Sequence, residues 1–483
     1  MSQITGRSIG PSRPRGRTIA AGLGIAALLV FLAAVRPPDR SDGGARTVIR
    51  IWHPHGGAIL ETYLNAIDVF ERGHPHIACE LAYVPNDLSA SQKFFTAVIG
   101  DCAPEVIFVD GPQVAEWAER GLLAPLDELL ADHLQEQGRT LEQLREEFFA
   151  PCWRQCVYRD RIWAVSFVAD PNFAFFWNKN AIRQAIEHGE VPAGAVDPDV
   201  PPRTIAQLDR YHEALTRQDA QGRLARIGYV PWGAYGNANS LFTWGWAFGG
   251  EFYDAERRRI TANHPRVVAA LDWMCSYARK YDVRRIVALQ SSFGIADLDP
   301  FISGKQLMQL YHISGVDDLD RYAPDLDYGV TSIPAPPDGE PDSSWVGGWT
   351  LAIPATVDPA KRRAALEFIL WSSATREGTS FALRTKRLFP AWKISPFYED
   401  AVKDRRLAHF VRILRLSKHQ RPVMPAQAFY MNELDRACSR AIHGETTPAE
   451  ALEDATRRTQ AQLDRILARR RGGAGAGKAE RHP

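Results

Sequence analysis

Residues 47–57 read TVIRIWHPHGG, a strand-like run that stops in a turn rich in histidine, proline and glycine. Apolar residues then recur at helical spacing over residues 57–72, and a second strand-like run covers 77–84. A helix pattern over 88–99, a strand over 105–109 and a short helix over 112–120 follow. The strand starts at 47, 77 and 105 are about 30 residues apart, the length of a βαβ unit. The pattern therefore predicts an α/β fold with doubly wound sheets.

In doubly wound sheets, ligands bind beyond the carboxyl ends of the strands. Here those ends are residues 52–57 after the first strand and residues 110–111 after the third. We therefore expect Trp52, His53 and Asp110 to lie at a binding site. Asp110 is the best candidate to accept hydrogen bonds from ligand hydroxyl groups, and its alternative role is to cap the helix that begins near Pro112.

Composition excludes several classes of protein. Hydrophobic residues make up 45% of the 483 residues and charged residues 24%, values typical of globular proteins, so wholesale disorder and a polytopic membrane protein are disfavoured. The formal net charge of +1 provides no field that would attract nucleic acid, and it weakly favours a neutral solute over an anionic one. The number of tryptophans, 13, is unusually high, and their positions bear on the function.

The tryptophans fall into two groups. Trp117, Trp273 and Trp371 lie in amphipathic helical patterns and are expected to pack in the core. Others lie among glycines, which leave aromatic rings accessible as stacking platforms for a sugar face. The stacking candidates are Trp232, Tyr235, Trp244, Trp246, Tyr311 and Trp345, and Trp349 lies in the last of the Gly-rich runs.

Further polar groups could hydrogen-bond a ligand. His53 and His312 could bind hydroxyl groups, and Gly347 and Gly348 offer backbone N–H groups. Arg384 and Lys386 would matter if the ligand carried phosphate, although surface ion pairing is the more frequent role of such residues.

The amino terminus has the pattern of an export signal. Four arginines precede Ile19, and residues 19–35 contain no charge, so the segment reads as a secretory signal peptide or as an uncleaved membrane anchor with the body of the protein outside. A buried core helix is the alternative. Residues 36–46 read as a linker, and residues 469–483 as a disordered, Arg- and Gly-rich tail.

Motifs for other functions are weak. Two His-Pro-His tripeptides at 53–55 and 74–76 do not supply the three or four converging ligands of a zinc site, so no metal and no cofactor is predicted. Cys152 and Cys156 share a helical face, but none of the six cysteines is assigned a partner. The sequence has none of the nucleophile-elbow, HExxH and strand-associated GxGxxG motifs, although two carboxylates of a glycosidase would not be visible in a sequence.

The order of motifs resembles that of the extracellular solute-binding proteins of ABC importers, in the class that binds sugars, oligosaccharides and glycerol phosphates. The stretch IRIWH at 49–53 resembles the family's opening strand. Further similar blocks cover residues 94–106, 121–127, 175–179, 248–252, 301–305, 328–334 and 347–353. The resemblance extends over roughly residues 46–465. Each block alone is weak evidence for the family, whereas so many blocks in the same order are fairly specific to it.

This resemblance implies a two-lobe periplasmic-binding-protein fold of type II with a hinge and a ligand cleft. By analogy, one lobe comprises residues 47–168 and 327–378, and the other comprises 169–326 and 379–468. The implied function is reversible capture of a carbohydrate-like solute outside the cytoplasmic membrane by a monomer that delivers it to an ABC permease. An exported carbohydrate-active enzyme and a ligand-sensing receptor are the alternatives.

Overall fold

The computed structural model describes residues 46–85, 88–291, 299–380 and 388–479. The strands are β1 (Thr47–His53), β2 (Ile77–Tyr83), β3 (Val106–Asp110), β4 (Val157–Tyr158), β5 (Arg161–Ile162), β6 (Val165–Ser166), β7 (Asp170–Asn172), β8 (Ala174–Asn178), β9 (Arg217–Gln218), β10 (Leu224–Arg226), β11 (Tyr253–Asp254), β12 (Arg259–Ile260), β13 (Met308–Tyr311), β14 (Tyr328–Thr331), β15 (Trp345–Gly347) and β16 (Trp349–Ala352).

The α-helices are α1 (Gly57–Gly73), α2 (Leu88–Ile99), α3 (Val114–Glu119), α4 (Asp127–Glu136), α5 (Leu141–Glu146), α6 (Ala150–Gln155), α7 (Lys179–Glu187), α8 (Ile205–Leu215), α9 (Asn237–Ala247), α10 (Pro265–Tyr281), α11 (Val283–Ser291), α12 (Ser314–Tyr322), α13 (Pro359–Ala374), α14 (Arg376–Ser380), α15 (Phe397–Ala401), α16 (Arg405–Leu416), α17 (Gln427–Ile442) and α18 (Pro448–Ala479). A 3-10 turn over Gly111–Gln113 joins β3 to α3.

The first sheet has the strand order β2-β1-β3-β16-β6. Strands β1 and β3 are parallel, and β16 runs antiparallel to β3 and to β6. Ile49 and Ile51 on β1 are fully buried, because alternate residues of a strand point to one face. The βαβ order predicted from residues 47–120 is confirmed, and the late strand β16 completes the sheet.

Two large hydrophobic cores lie on either side of the short strand β8. The first core surrounds the five-stranded sheet and includes Phe176, and the second includes Phe175 and helices α9, α10 and α17. Neighbouring residues of one strand enter different cores because side chains alternate between the two faces of a strand. This arrangement is a two-lobe α/β architecture. The division of the chain at residues 168, 326 and 378 remains a prediction.

Residues 243–250 fold differently from the sequence prediction. The Gly-rich run was expected to be a turn, but residues up to Ala247 form α9, with both Trp244 and Trp246 buried. Gly245 serves close packing rather than a turn, since a Cβ at this position would lie 2.4 Å from the ring of Phe252. A glycine inside a helix lets another side chain approach the backbone.

The two ends of the chain bear on the sequence predictions differently. The predicted signal or anchor at 1–35 and nearly all of the linker at 36–46 lie outside the described residues, as do Arg384 and Lys386. No helix in the described ranges is both long and apolar enough to cross a membrane. At the other end, α18 continues to Ala479, into the stretch predicted to be a disordered tail.

Candidate ligand-binding site

A pocket lies at the carboxyl ends of β1 and β3, the edge of the sheet at which the sequence predicted a site. It is lined by Trp52, His53, Gln113, Trp117 and Trp349, together with smaller apolar side chains. β16 brings Trp349 to this edge because Trp349 is opposite Asp110 in the antiparallel register. The ammonium group of Lys93 lies 5.0 Å from the Trp52 ring. Trp117, expected in the core, is 5% exposed and also forms part of this wall.

A second aromatic group surrounds the turn after β1. The His55 ring stacks on Tyr63 with centroids 5.4 Å apart and meets Trp349 edge-on at 5.9 Å. Burial, with the nearby His53, lowers the pKa of His55 to about 4, so this imidazole is neutral near pH 7. His53 is 2% exposed, and burial lowers its pKa also.

Several buried polar atoms in this region have no hydrogen-bond partner among the described residues. They are His53 Nδ1, His55 Nε2, Tyr63 Oη and Asp170 Oδ1. Burial, and secondarily the negative charge of Asp170, raises the pKa of Tyr63. Buried polar groups are normally hydrogen-bonded, so a set of unsatisfied ones is suited to a polar ligand.

Asp110 makes an ion pair rather than a helix cap. Both of its carboxylate oxygens lie 2.8 Å from an Nη atom of Arg421, and no side-chain capping hydrogen bond is made to the following turn. The Arg421 guanidinium also lies over the Trp345 ring at 5.4 Å. The predicted alternative role of Asp110 as a cap is therefore wrong.

Gly347 and Gly348 lie beside this ion pair. Gly347 pairs with Asp170 across β15 and β7, and Gly348 has a φ of 133°, a conformation that favours glycine. A Cβ on Gly348 would lie 2.1 Å from the carbonyl oxygen of Val168. The pair thus allows two strands between the cores to approach closely.

Among the residues of the second half of the chain, the structure brings Tyr235 and His312 together. Their ring centroids are 6.0 Å apart, and Tyr235, which is half exposed, also stacks on Phe173 at 5.0 Å. The adjacent Tyr311 is buried, and its hydroxyl donates to a carboxylate oxygen of Asp299 at 2.7 Å. Tyr235 is accordingly the most accessible of the predicted stacking rings.

The predicted indole platforms are mostly core residues in this conformation. Trp244 is fully buried and its Nε1–H donates to the carbonyl of Pro231, so it offers no face to a ligand. Trp246 stacks on His419 at 5.0 Å, and Trp345 donates its Nε1–H to Thr243. Trp232 is 8% exposed and packs in the second core. Neighbouring glycines indicate that rings can pack closely, and do not show that the rings are exposed.

Sequence reasoning did not select His55, Tyr63, Asp170 or Arg421, and it favoured Trp349 as an accessible indole without naming it as a site residue. His55 and Trp349 lie in the quoted turn and Gly-rich run, so position alone could have identified them. Asp170 carried a usable signal, since it is the single charged residue in the mostly apolar run from 162 to 176. Tyr63 and Arg421 had none, because only the folded chain brings them to the strand ends.

The metal and thiol chemistry of the described residues is limited. No group of three or more His, Cys, Asp or Glu side chains within those ranges could hold a metal ion. No disulfide joins the six cysteines, all of which lie in the described ranges, and Cys156 Sγ contacts the carbonyl oxygen of Cys152 at 3.5 Å.

A family profile described as the bacterial extracellular solute-binding protein matches residues 55–374. The chain belongs to this family. No curated protein matches the chain. This solute-binding protein is also similar to solved structures. The three described next are each less than 25% identical to it, so the comparison bears on the fold alone.

One such structure, CpMnBP1 with mannotriose bound, has a TM-score of 0.69 and 22% identity, covering 86% of this chain and 100% of its own. An ABC transporter solute-binding protein from Thermotoga lettingae, bound with α-D-tagatose, has a TM-score of 0.67 and 20% identity over 86% and 100% of the two chains. The MalE domain from Bdellovibrio bacteriovorus, bound to maltotriose, has a TM-score of 0.64 and 19% identity over 87% and 100%. These likenesses support the two-lobe fold.

Proposed function

We propose that this solute-binding protein is the binding subunit of an ABC importer and captures a carbohydrate in the pocket at the ends of β1 and β3. The observation that carries the proposal is the combination of Trp52, Trp117 and Trp349 with His53 and Gln113 in one pocket. Aromatic rings bury the apolar face of a sugar, and amide and imidazole groups satisfy its hydroxyl rim. Sugars bound to CpMnBP1 and to the Bdellovibrio MalE domain support this assignment.

The second wall of the site is formed by Tyr235 and His312. Tyr235 stacks on Phe173 of the second core, and His312 lies between Tyr311 and Ile313 of the first. A ligand held between this pair and the Trp52 pocket would contact both lobes, and lobe closure would remove it from water. Trp52, His53, Asp110, Tyr235 and His312 are the sequence-predicted residues that we retain for binding or closure.

The partner is then an ABC permease in the cytoplasmic membrane, on whose outer face the protein releases its solute. Membership of an extracellular family supports a location outside the cytoplasm. The basic and then apolar order of residues 7–35 supports export, with the segment either removed as a signal peptide or kept as an anchor. We propose that the protein acts as a monomer.

Tryptophan fluorescence of the full chain, titrated with mannose, maltose and gluco-oligosaccharides and with glycerol phosphates, tests the function. We expect a saturable change in emission with at least one sugar, because three indoles line the pocket. Trp349→Ala should weaken that binding about two- to tenfold, since aromatic stacking contributes about 0.5–1.5 kcal/mol. Trp273→Phe, in the second core, is the matched control and should bind normally. Absence of any response across the panel would reject the carbohydrate assignment.

A further inference from the structure

The carboxylate of Asp170 is poorly satisfied by the protein itself. Its side chain is only 16% exposed, and Oδ1 is buried with no hydrogen-bond partner among the described residues. The nearest basic group is His312, whose Nε2 lies 3.5 Å from Oδ1. Charge-assisted N–H···O hydrogen bonds are normally about 2.7–2.9 Å long, so this contact leaves the charge short of a partner. A buried carboxylate is expected to have a paired cation or several donors.

The rings nearest in charge to Asp170, those of His55 and Tyr63, are both neutral near pH 7. His55 Nε2 and Tyr63 Oη are buried and unpartnered, and the charge of Asp170 acts on both residues. No arginine or lysine is among the groups whose charge acts on these two side chains in the described ranges. His312 Nδ1 accepts the N–H of Ser314 at 3.3 Å, so the neutral ring carries its proton on Nε2. Neither His55 nor Tyr63 therefore supplies a positive charge to pair with Asp170.

Aromatic faces complete this environment. Tyr63 lies between the stacked His55 ring and the rings of Phe108 and Phe167, whose centroids are each 5.8 Å away. Trp349 meets His55 edge-on, and the same indole lines the Trp52 pocket. Aromatic faces attract cations through their quadrupoles, most strongly where water is excluded. A carboxylate with adjacent aromatic rings thus favours a positively charged group.

We propose that Asp170 is the charged anchor of the binding site and that it selects a solute carrying a protonated amino group, such as an amino sugar. The inference rests on the proposed function. An ammonium group supplies three donors and neutralises the carboxylate, whereas a neutral hydroxyl supplies one donor and leaves the charge in place. A carboxylated or phosphorylated sugar is repelled by the same charge. The ligand would reach Asp170 when the lobes separate.

Matched sugars test the charge preference on the full-length protein. Tryptophan fluorescence at neutral pH and low salt follows the titration with three sugars: glucosamine, N-acetylglucosamine and glucose. The β-1,4-linked dimer of each sugar is titrated in the same way. We expect the free amines to bind at least tenfold more tightly than their acetylated or neutral counterparts. The preference should shrink as salt is raised, because exposed charges are screened before the lobes close.

Asp170→Asn assigns any preference to this residue. The variant should lose the tenfold discrimination, and its unliganded melting temperature should be unchanged or higher, because an unpaired buried charge has been removed. A lower melting temperature would instead indicate a structural pair with His312. Asp199→Asn, at a side chain 61% exposed, is the control and should keep the preference.

The outcomes separate the two proposals. Equal or tighter binding of neutral sugars, or a preference that survives in Asp170→Asn, would overturn the amine inference and leave carbohydrate binding in place. No binding by any member of this set and of the neutral panel would reject both. Binding of amines alone, abolished by Asp170→Asn, would support both.

Discussion

At the scale of single residues, the site depends on side chains held in one protonation state. His55 is buried against Tyr63, and its pKa is lowered to about 4. The unfolded chain binds a proton at His55 below about pH 6.5 while the folded chain does not, so folding stability falls as pH drops from about 6.5 towards 4. The resulting loss in the free energy of unfolding is on the order of 2–3 kcal/mol at pH 4.

His55→Gln should therefore reduce the acid sensitivity of folding. Urea denaturation of the wild type and the variant at pH 7, 5.5 and 4.5 measures the free energy of unfolding, and the two curves should converge as the pH falls. Other buried histidines, among them His212 with a pKa of about 3, keep part of the sensitivity in both proteins. Exposed His188→Gln is the control. Parallel pH profiles for wild type and His55→Gln would show that the ring is not held neutral.

At the scale of elements, the contact between β16 and the segment before β7 requires a residue without a side chain. Gly348→Ala places a methyl group 2.1 Å from the Val168 carbonyl, at a φ of 133° that alanine rarely adopts. We expect a loss of about 2–4 kcal/mol in the free energy of unfolding, measured in urea. Gly138→Ala, at a φ of 68° with no atom within 4 Å, isolates the backbone cost and should lose about 1–2 kcal/mol. Equal losses would mean that β16 can shift.

Elements also show what the sequence could and could not predict. Periods of two and 3.6 placed β1, α1 and β3 correctly, because these patterns reflect which face is buried, and the strand ends follow from them. The same reasoning found Trp52 and His53 in the pocket. It failed for Trp244, since glycine beside an aromatic ring is compatible with both a turn and a tightly packed helix. Asp170 and Tyr63 are 107 positions apart, and no local pattern reports that they meet.

At the scale of the whole molecule, an ion pair links the first core to the segment that leads into the second. Asp110 ends β3 beside the first core, whereas Arg421 lies in the segment 417–426, between α16 of the first core and α17 of the second. The same segment bonds to Arg154, whose guanidinium donates to the carbonyl of Lys418 at 2.7 Å and to Gln420 Oε1 at 2.9 Å. Domain closure moves packed surfaces between a few discrete arrangements.

Asp110→Asn should weaken the arrangement of the lobes seen here. Losing a partly buried ion pair leaves Arg421 without its carboxylate, and we expect a shift of about 1–2 kcal/mol towards the open form. Small-angle scattering should show a larger radius of gyration without ligand. Sugar affinity should fall about tenfold, because part of the binding free energy is then spent on closing the lobes. Glu136→Gln removes an exposed partner of Arg363 within the first lobe and should change neither quantity. An unchanged radius together with unchanged affinity in Asp110→Asn would mean that the ion pair follows closure without stabilising it.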